Sequence, residues 1–242
     1  MCFLLGSPVL LWCGMGAKKH VYEPSSAEKR RALMLVVALK KLFPNPRIAL
    51  QYSSRWELFV AVVLSAQCTD KKVNEVTKTL FKKYQTLDEY VHARPLEFAQ
   101  DIRQTGFYRN KAKHILASAQ RIKEEFGGKV PKTMEEMLTL PGIARKSANV
   151  ILGNAYGVVE GIAVDTHVMR LSRRFGLSTE KTPEKIERDL MALLPKEEWF
   201  TFTYCLIEYG RNYCTARACP TDHPLHAFDV QNPYHLKSLQ QR

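Results

Sequence analysis

The sequence lacks a hydrophobic segment that is long enough to cross a membrane. The opening MCFLLGSPVLLWCGMG is apolar, but it is too short and too often interrupted by glycine and proline to span a bilayer. It also lacks the basic residues that begin a signal peptide, since the first lysine is Lys18. We therefore predict no membrane contact. We expect translation to begin at Met15, and residues 1–26 to be an extension that is disordered or misassigned at its start.

Cysteines are few and lack the regular spacing of a disulfide framework. Six occur in 242 residues, at positions 2, 13, 68, 205, 214 and 219. A chain of this length can bury a hydrophobic core large enough to fold without disulfides. The apolar content, at 45%, also excludes general disorder. A reducing compartment is therefore the simplest expectation.

Acidic residues are scarce relative to basic ones. The chain has 36 Lys and Arg against 24 Asp and Glu, a net charge of +12. Such an excess indicates a polyanionic partner, and nucleic acid is the commonest one. A soluble basic protein without such a partner could have the same composition, so charge alone does not decide between the two.

The sequence shows no sustained alternation of apolar and polar residues, no repeat of solenoid length and no low-complexity segment. Apolar residues instead recur at helical spacing, which predicts about ten short helices and an all-α fold. Ser54, Thr86 and Thr133 each precede a glutamate by three positions, a pattern that predicts helix starts of the capping-box type. In the first helix, over residues 27–43, we expect an inward face of Leu33, Val36, Val37 and Leu42.

The segment at residues 139–152, TLPGIARKSANVIL, predicts a tight turn followed by a helix that begins near Arg145. Gly142 would let the backbone turn and approach a surface closely. The free N–H groups of the first helical turn, together with the helix dipole, would form a phosphate site. An ordinary αα-hairpin with proline and glycine at its corner has the same pattern, so this segment alone does not establish DNA binding.

Two ionisable residues suggest chemistry on a sugar. Lys146 lies in the first turn of the predicted helix, where the dipole and Arg145 both favour a neutral amine that can form a Schiff base. Asp165, at the start of the helix in VDTHVMRLSRRFG, could stabilise a cationic sugar or transfer a proton. The structural alternatives are a solvated surface lysine and an aspartate that only caps its helix.

Four segments, in this order, resemble the endonuclease III family of helix–hairpin–helix DNA glycosylases. They are VVLSAQCTDKKVN at 62–74, TGFYRNKAKHI at 105–115, LPGIARKSANVIL at 140–152 and VDTHVMRLSRRFG at 164–176. The resemblance covers about residues 30–217 and implies two helical domains with the active site in the cleft between them. One would be a six-helix domain at 48–158, and the other would combine 27–47 with 159–220, followed by a polar tail at 221–242.

The resemblance assigns catalytic roles to two residues. Lys146 would attack the sugar C1′ and displace a damaged base, and the resulting Schiff base would permit strand cleavage by β-elimination. Asp165 would be its acidic partner. These roles imply a bifunctional DNA glycosylase and AP lyase of base excision repair that acts on oxidised pyrimidines. The alternatives are a relative that acts on another damaged or mismatched base, and a DNA-binding protein without catalytic activity.

The resemblance also assigns contacts with duplex DNA. Gln67 would fill the gap left by an everted nucleotide, because enzymes of this kind must extrude their target. Phe107 would act as an apolar wedge, for which burial in the core is the alternative. The hairpin residues that would contact DNA are Leu140, Gly142, Ala144 and Arg145.

We expect the protein to be a monomer. We expect it in the cytoplasm (the nucleoid) of a bacterium, or in the nucleus or a mitochondrion of a eukaryote.

The C-terminal segment departs from the family pattern. Most members bind a [4Fe–4S] cluster with four cysteines after a GR…C segment, whereas YGRNYCTARACPTDHPLHAFDV contains only Cys214 and Cys219. Two thiolates cannot bind that cluster in the usual way, so we predict no cluster and no metal. A zinc site is the alternative, formed by these cysteines with Asp222, His223 and His226.

The hairpin departs from the family pattern at one position. Ala144 stands where most members have a second glycine. A methyl group disfavours a positive φ. We therefore expect Ala144 to shift the neighbouring amides that face the phosphate.

Overall fold

The computed structural model describes residues 22–231, and every regular element in that range is a helix, which confirms the all-α prediction. The predicted start at Met15 and the end of the predicted tail, residues 232–242, lie outside the described residues. Within the described range, no helix is both long and apolar enough to cross a bilayer. The α-helices are α1 (Ser26–Leu42), α2 (Arg55–Leu64), α3 (Asp70–Lys83), α4 (Leu87–Val91), α5 (Pro95–Asp101), α6 (Tyr108–Glu125), α7 (Met134–Leu138), α8 (Arg145–Tyr156), α9 (Thr166–Arg174), α10 (Pro183–Leu193) and α11 (Lys196–Asn212), with short 3₁₀ helices at Arg103–Thr105 and His226–Phe228.

Polar residues cap α2, α4 and α7 at the three positions that the sequence predicts. The Thr86 hydroxyl accepts a hydrogen bond from the Glu89 N–H, and the Glu89 carboxylate accepts one from the Thr86 N–H, so α4 begins with a complete capping box. Ser54 caps α2 by accepting from the Glu57 N–H, but the Glu57 carboxylate binds Ser53 instead. Each cap satisfies an N–H group that the helix leaves unpaired.

The helices pack around two hydrophobic cores, which define the two domains. The first core consists of residues in the range 48–163 and includes the fully buried ring of Phe59. The second combines residues 22–43 with residues 162–228 and includes the fully buried ring of Phe175. Burying one such ring stabilises a fold by about 1.5–3 kcal/mol. From residue 22 onward, the described chain therefore runs from the second domain through the first and returns to the second.

The buried face of α1 differs from the predicted one. Leu33 and Val37 are 40% and 55% exposed, so their assignment to the inward face is wrong. The α1 residues that enter the core follow a helical stripe at spacings of three and four. Apolar residues also occur outside this stripe, and local periodicity could not separate the two sets. The buried residues of α1 are Ala32, Leu35, Val36 and Leu39.

The described part of the predicted polar tail, residues 221–231, packs against the second domain. The Arg174 guanidinium binds the buried carboxylate of Asp229 at 2.6 Å, and His223 Nε2 lies 3.0 Å from the same carboxylate. His223 Nδ1 lies 2.5 Å from the hydroxyl oxygen of Tyr209, and Leu225 enters the second core. These polar residues are buried because they pair with one another, which residue type alone does not indicate.

Candidate active site

Lys146 lies in the first turn of α8 and is exposed. α8 begins directly after the hairpin turn, at Arg145, and its N-cap residue Ala144 provides no side-chain cap. The first N–H groups of α8 are therefore not satisfied by a side-chain cap, and the helix dipole favours an anion at this end. A phosphate group at this end would lie beside the Lys146 amine.

Asp165 is the N-cap of α9, since its Oδ1 accepts a hydrogen bond of 2.8 Å from the Val168 N–H. Asp165 therefore has the helix-capping role that the sequence offered as the alternative to catalysis. It does not exclude a catalytic role, because a carboxylate has a second oxygen. The three residues before Asp165, at 162–164, are buried and form an apolar approach to it, as the sequence predicts.

Lys146 and Asp165 line the same cleft, although Lys146 belongs to the first domain and Asp165 to the second. The cleft contains about 1930 Å³ of space that is open to solvent, and Gln67 also lines it. The structure thus brings together three residues that lie far apart in the chain and that the sequence identified separately.

A smaller recess shares Lys146 and Asp165 with the cleft. It encloses about 550 Å³, part of which is open to solvent, and polar and apolar residues line it in similar measure. A flat ring bound next to the amine and the carboxylate would find apolar walls to pack on and polar groups to contact. The apolar lining is Ile48, Ala49, Leu50, Val62, Val150, Ala163 and Ile207, and the other polar lining is Arg47, Ser65, Asp70, Thr203, Tyr204 and Arg211.

Sequence reasoning missed an ion pair that crosses the cleft. The Arg211 guanidinium, on α11 of the second domain, binds the carboxylate of Asp70 at the start of α3 in the first domain. Both residues line the cleft with Lys146 and Asp165. Asp70 lies inside one of the four segments of the family resemblance, whereas Arg211 lies in the GR…C segment that follows them. No local pattern indicates that these segments meet.

His167 was also missed, although it lies two residues after Asp165 and lines the same cleft. Burial lowers the pKa of His167, and the positive charges of Arg211 and Arg170 lower it further, while Asp165 acts in the opposite direction. Its ring packs on Gly210, where a Cβ atom would lie 2.5 Å from His167 Nδ1. Glycine at position 210 therefore leaves room for this ring.

Gln67 and Phe107 share a backbone feature that sequence reasoning did not predict. They are the two non-glycine residues of the described range that have a positive φ, at 53° and 47°. Both are exposed, and Phe107 is 64% exposed, so burial of Phe107 in the core is excluded. Phe107 does not line the cleft of Lys146; it lines a separate shallow depression with Tyr108, Arg109 and Asn110.

The hairpin residues differ in what they can contact. Leu140 is 2% exposed and belongs to the first core, so its side chain is not available to DNA. Gly142 is exposed, has φ +78°, and packs so closely on His114 that a Cβ atom would lie 2.5 Å from the ring. Ala144 has φ −105°, in the extended region that any residue adopts, so the expected conflict of its methyl group with a positive φ is wrong.

Arg145 points to the second domain. Its Nε binds Glu187 Oε2 at 2.9 Å, and Glu187 Oε1 accepts a hydrogen bond of 3.0 Å from Asn149. Glu187 is almost fully buried, so this pair links α8 to α10 at the turn that carries Lys146. A contact between Arg145 and DNA would require the guanidinium to leave Glu187, and that contact stays a prediction.

The donors of the C-terminal segment do not fit the family cluster. The two cysteines of this segment, Cys214 and Cys219, are joined by a disulfide that their spacing did not predict. The other cysteines of the described range, Cys68 and Cys205, are free thiols on other elements. A [4Fe–4S] cluster needs four thiolates.

Three possible ligands of a single metal ion lie together, but Cys219 can act as a ligand only when its disulfide with Cys214 is reduced. Atoms of Cys219, His223 and Asp229 lie within 4.8 Å of one another. The zinc alternative named Asp222 and His226 in place of Asp229. Both nitrogens of His223 are already engaged, by Tyr209 and Asp229, so the group is satisfied without an ion.

Comparison with known proteins defines the class. Residues 60–196 match the profile of the HhH-GPD superfamily base excision DNA repair proteins. A thermostable thymine-DNA glycosylase, at 19% identity and a TM-score of 0.75, shares the fold.

Relatives within this class are more specific. Endonuclease III of Synechocystis sp. is 47% identical over 192 residues, which cover 79% of this chain and 88% of the relative. Endonuclease III of Bacillus subtilis is 46% identical over 178 residues, which cover 73% and 81%. A non-covalent endonuclease III–DNA complex is 38% identical with a TM-score of 0.80, covering 88% of this chain and 99% of that one. The chain belongs to the endonuclease III family, as its four segments predict.

Proposed function

We propose that this chain removes oxidised pyrimidine bases from duplex DNA and cleaves the strand by β-elimination. The observation that carries the proposal is that Lys146 and Asp165, from different domains, line one cleft and the recess next to it. One similar solved structure, 38% identical with a TM-score of 0.81, is a trapped endonuclease III–DNA covalent intermediate. A covalent intermediate requires a nucleophile, and an exposed lysine at a helix N-terminus suits that role.

Base removal is the first step. The Lys146 Nζ attacks C1′ of the everted nucleotide and forms a C–N bond while the N-glycosidic bond breaks. The base leaves with the electron pair of that bond and takes up a proton. Asp165 stabilises the positive charge that develops on the sugar and accepts the proton that the lysine nitrogen loses.

Strand cleavage is the second step. The nitrogen lone pair then forms a C=N bond while the C1′–O4′ bond breaks, and O4′ takes back the proton that Asp165 accepted. The product is a protonated Schiff base, which makes the C2′ hydrogen acidic. Removal of that proton forms a C2′–C3′ double bond and expels the 3′ phosphate with the electrons of the C3′–O bond. Water then hydrolyses the Schiff base and restores the amine of Lys146.

Access to C1′ requires extrusion of the nucleotide from the duplex. Gln67 and Phe107 are exposed on two turns, and we propose that both enter the base stack. An aromatic ring with 64% exposure can stack on bases, and an amide can occupy the space of a departed base. Oxidised pyrimidines stack poorly, which lowers the free energy of extrusion.

We further propose that this chain acts without an iron–sulfur cluster. The C-terminal segment contains two cysteines instead of four, and the pairs of Asp229 with Arg174 and His223 fasten that segment to the second domain. Purified protein should contain neither iron nor acid-labile sulfide. Visible absorbance from a cluster would contradict this.

A trapping assay tests the chemistry. Wild-type protein should incise duplexes with thymine glycol, dihydrouracil or an abasic site, and borohydride should reduce the Schiff base to a stable protein–DNA adduct. Lys146→Ala should abolish the adduct, whereas Lys123→Ala, at an exposed ion pair on α6, should not. Trapping that survives Lys146→Ala would remove Lys146 from this role. If duplexes with uracil or 8-oxoguanine are incised in preference, the proposed substrate class is wrong.

A further inference from the structure

Gln67 and Phe107 lie on two turns that are separated in the chain by three α-helices, α3, α4 and α5, and by a short 3₁₀ helix. Gln67 follows the end of α2, and Phe107 follows the 3₁₀ helix Arg103–Thr105. Both adopt the left-handed backbone region, which is uncommon for residues with bulky side chains and persists where surrounding contacts impose it. The contacts that shape these two turns therefore decide where both side chains point.

One buried cation connects the two turns. Lys111, on α6, is 4% exposed, and its ammonium donates to the Leu64 carbonyl at 2.7 Å and to the Thr105 carbonyl at 2.8 Å. Leu64 is the last residue of α2, three positions before Gln67. Thr105 ends the 3₁₀ helix, two positions before Phe107.

Lys111 also contacts the second turn through its backbone. Its N–H donates to the Phe107 carbonyl at 3.1 Å in the first turn of α6. The same residue thus binds both sides of the Phe107 turn and reaches across to the Gln67 turn. Exposed lysines on the helix, such as Lys113, make no such bridge in the described contacts.

Burial of this ammonium is unfavourable unless its donors are satisfied. Desolvation lowers the pKa of Lys111, so burial disfavours the charged form of its amine. The two acceptors are carbonyls at helix ends, where the backbone has partial negative charge and lacks helical partners. An apolar residue of similar length would fill the space without the free-energy cost of desolvating a charge. It would, however, leave both carbonyls unpaired.

We propose that Lys111 is a positioning residue that fixes the Gln67 and Phe107 turns relative to each other, so that both side chains enter the duplex together. The inference rests on the proposed function, because it assumes that these two side chains replace an extruded nucleotide. Lys111 itself touches neither DNA nor the reacting atoms.

The proposal predicts a difference between substrates. A damaged base must be extruded before Lys146 can reach C1′, whereas an abasic site has no base to unstack. Loss of the bridge should therefore slow base removal more than strand cleavage at an abasic site. A purely structural role would lower both activities alike.

The experiment compares Lys111→Met, Lys111→Arg and the control Lys123→Met, an exposed residue at the far end of α6. For Lys111→Met, kcat on a thymine glycol duplex should fall about tenfold to a hundredfold, as misplacement of a positioned group does. On an abasic duplex it should fall less than about threefold, because no base is extruded. Lys111→Arg, which keeps the charge and several N–H donors, should recover most of the loss, and Lys123→Met should match wild type.

A second measurement does not depend on turnover. With 2-aminopurine opposite a tetrahydrofuran abasic analogue, wild-type binding should raise the fluorescence as the opposite base unstacks, and Lys111→Met should lose that rise. Should Lys111→Met fail to fold by circular dichroism, Lys111→Gln, which keeps an amide donor, takes its place. Equal loss on both substrates, or an unchanged fluorescence rise, would overturn the proposal. Failure of the wild type to incise any duplex would instead overturn the proposed function.

Discussion

Arg211 and Asp70 form an ion pair across the cleft that contains Lys146 and Asp165. Arg211 is on the last α-helix of the described range, and Asp70 is the first residue of α3, so the pair joins the two domains at the site itself. Both side chains retain substantial exposure to solvent. The pair therefore places charges around the cleft. The domains also meet at the buried carboxylate of Glu187, which binds Arg145 and Asn149.

Breaking this pair should change stability only slightly. An exposed ion pair contributes about 0–1 kcal/mol, because solvent screens it and two long side chains must be ordered. We expect a coupling free energy below about 1 kcal/mol from a double-mutant cycle of Arg211→Ala and Asp70→Ala, measured by urea unfolding. A larger coupling would mean that the pair, rather than packing, holds the domains together.

Substitution of Asp165 should separate its two roles. Asn caps a helix as well as Asp does, so Asp165→Asn should keep the stability of the wild type. Its incision rate should fall at least about a hundredfold, because the negative charge that stabilises the developing cation is lost. Asp165→Ala should lose activity and also about 1 kcal/mol of unfolding free energy. Urea unfolding and single-turnover incision test this, and full activity of Asp165→Asn would contradict the catalytic role.

Substitution of either small residue of the hairpin should lower stability, but to a different extent and for a different reason. Gly142→Ala combines a positive φ with a Cβ placed against the His114 ring, so it should lose more than about 1 kcal/mol of unfolding free energy. Ala144→Gly should cost only about 0.4–1 kcal/mol, through the greater freedom of the unfolded chain. It should not tighten binding of an abasic-analogue duplex, since no positive φ is needed there. Tighter binding would show that the methyl group does obstruct DNA.

His167 should make stability depend on pH. Its folded pKa lies below the ordinary value of about 6.5, with Asp165, Asp70, Arg211 and Arg170 as the charges that face it. The unfolded chain therefore binds a proton in a pH range where the folded chain does not. The unfolding free energy should be undiminished above about pH 6.5 and should fall as the pH drops from there towards the folded pKa.

The measurement for His167 is urea unfolding at several pH values between neutral and mildly acidic. His167→Gln should show a weaker decline than the wild type, because glutamine does not titrate. His92→Gln, at the exposed histidine that follows α4 as its C-cap, is the matched control and should retain the wild-type decline. Identical slopes for the wild type and His167→Gln would show that other groups cause the acid sensitivity.

The C-terminal segment should be held by Asp229 rather than by a metal. Asp229→Ala leaves the Arg174 guanidinium and His223 without their shared partner, and loss of one partner of a buried pair costs about 3–5 kcal/mol. Treatment with EDTA should leave the melting temperature unchanged. A lower melting temperature after EDTA, restored by zinc, would favour the alternative of a metal site at Cys219, His223 and Asp229.

Features that depend on a few neighbouring residues were predictable. The Thr86 capping box, the turn at Gly142 and the start of α8 at Arg145 were all predicted from residues within four positions. Caps and turns are local because their hydrogen bonds close over one helical turn. The cap that Asp165 forms on α9 follows from the same local rule.

Features that depend on packing were not predictable in the same way. Leu33 and Val37 have the residue type of a core position but lie beside the buried stripe of α1. Leu140 was assigned to DNA and belongs to the core, while Phe107 could have been either and is exposed. Residue type gives a preference for burial, and only the arrangement of the surrounding helices assigns each side chain to the interior or the surface.

The amino-acid sequence alone predicted an all-helical chain with a hairpin, and it singled out Lys146 and Asp165 as the candidate catalytic residues. Tertiary structure alone decided that these two residues share a cleft, that Arg211 meets Asp70 across it, and that Lys111 joins two distant turns. The physical reason is the distance along the chain between the residues that interact. Helix starts and turns are closed by hydrogen bonds between near neighbours, whereas the cleft exists because two separate cores bury apolar surface from distant parts of the chain.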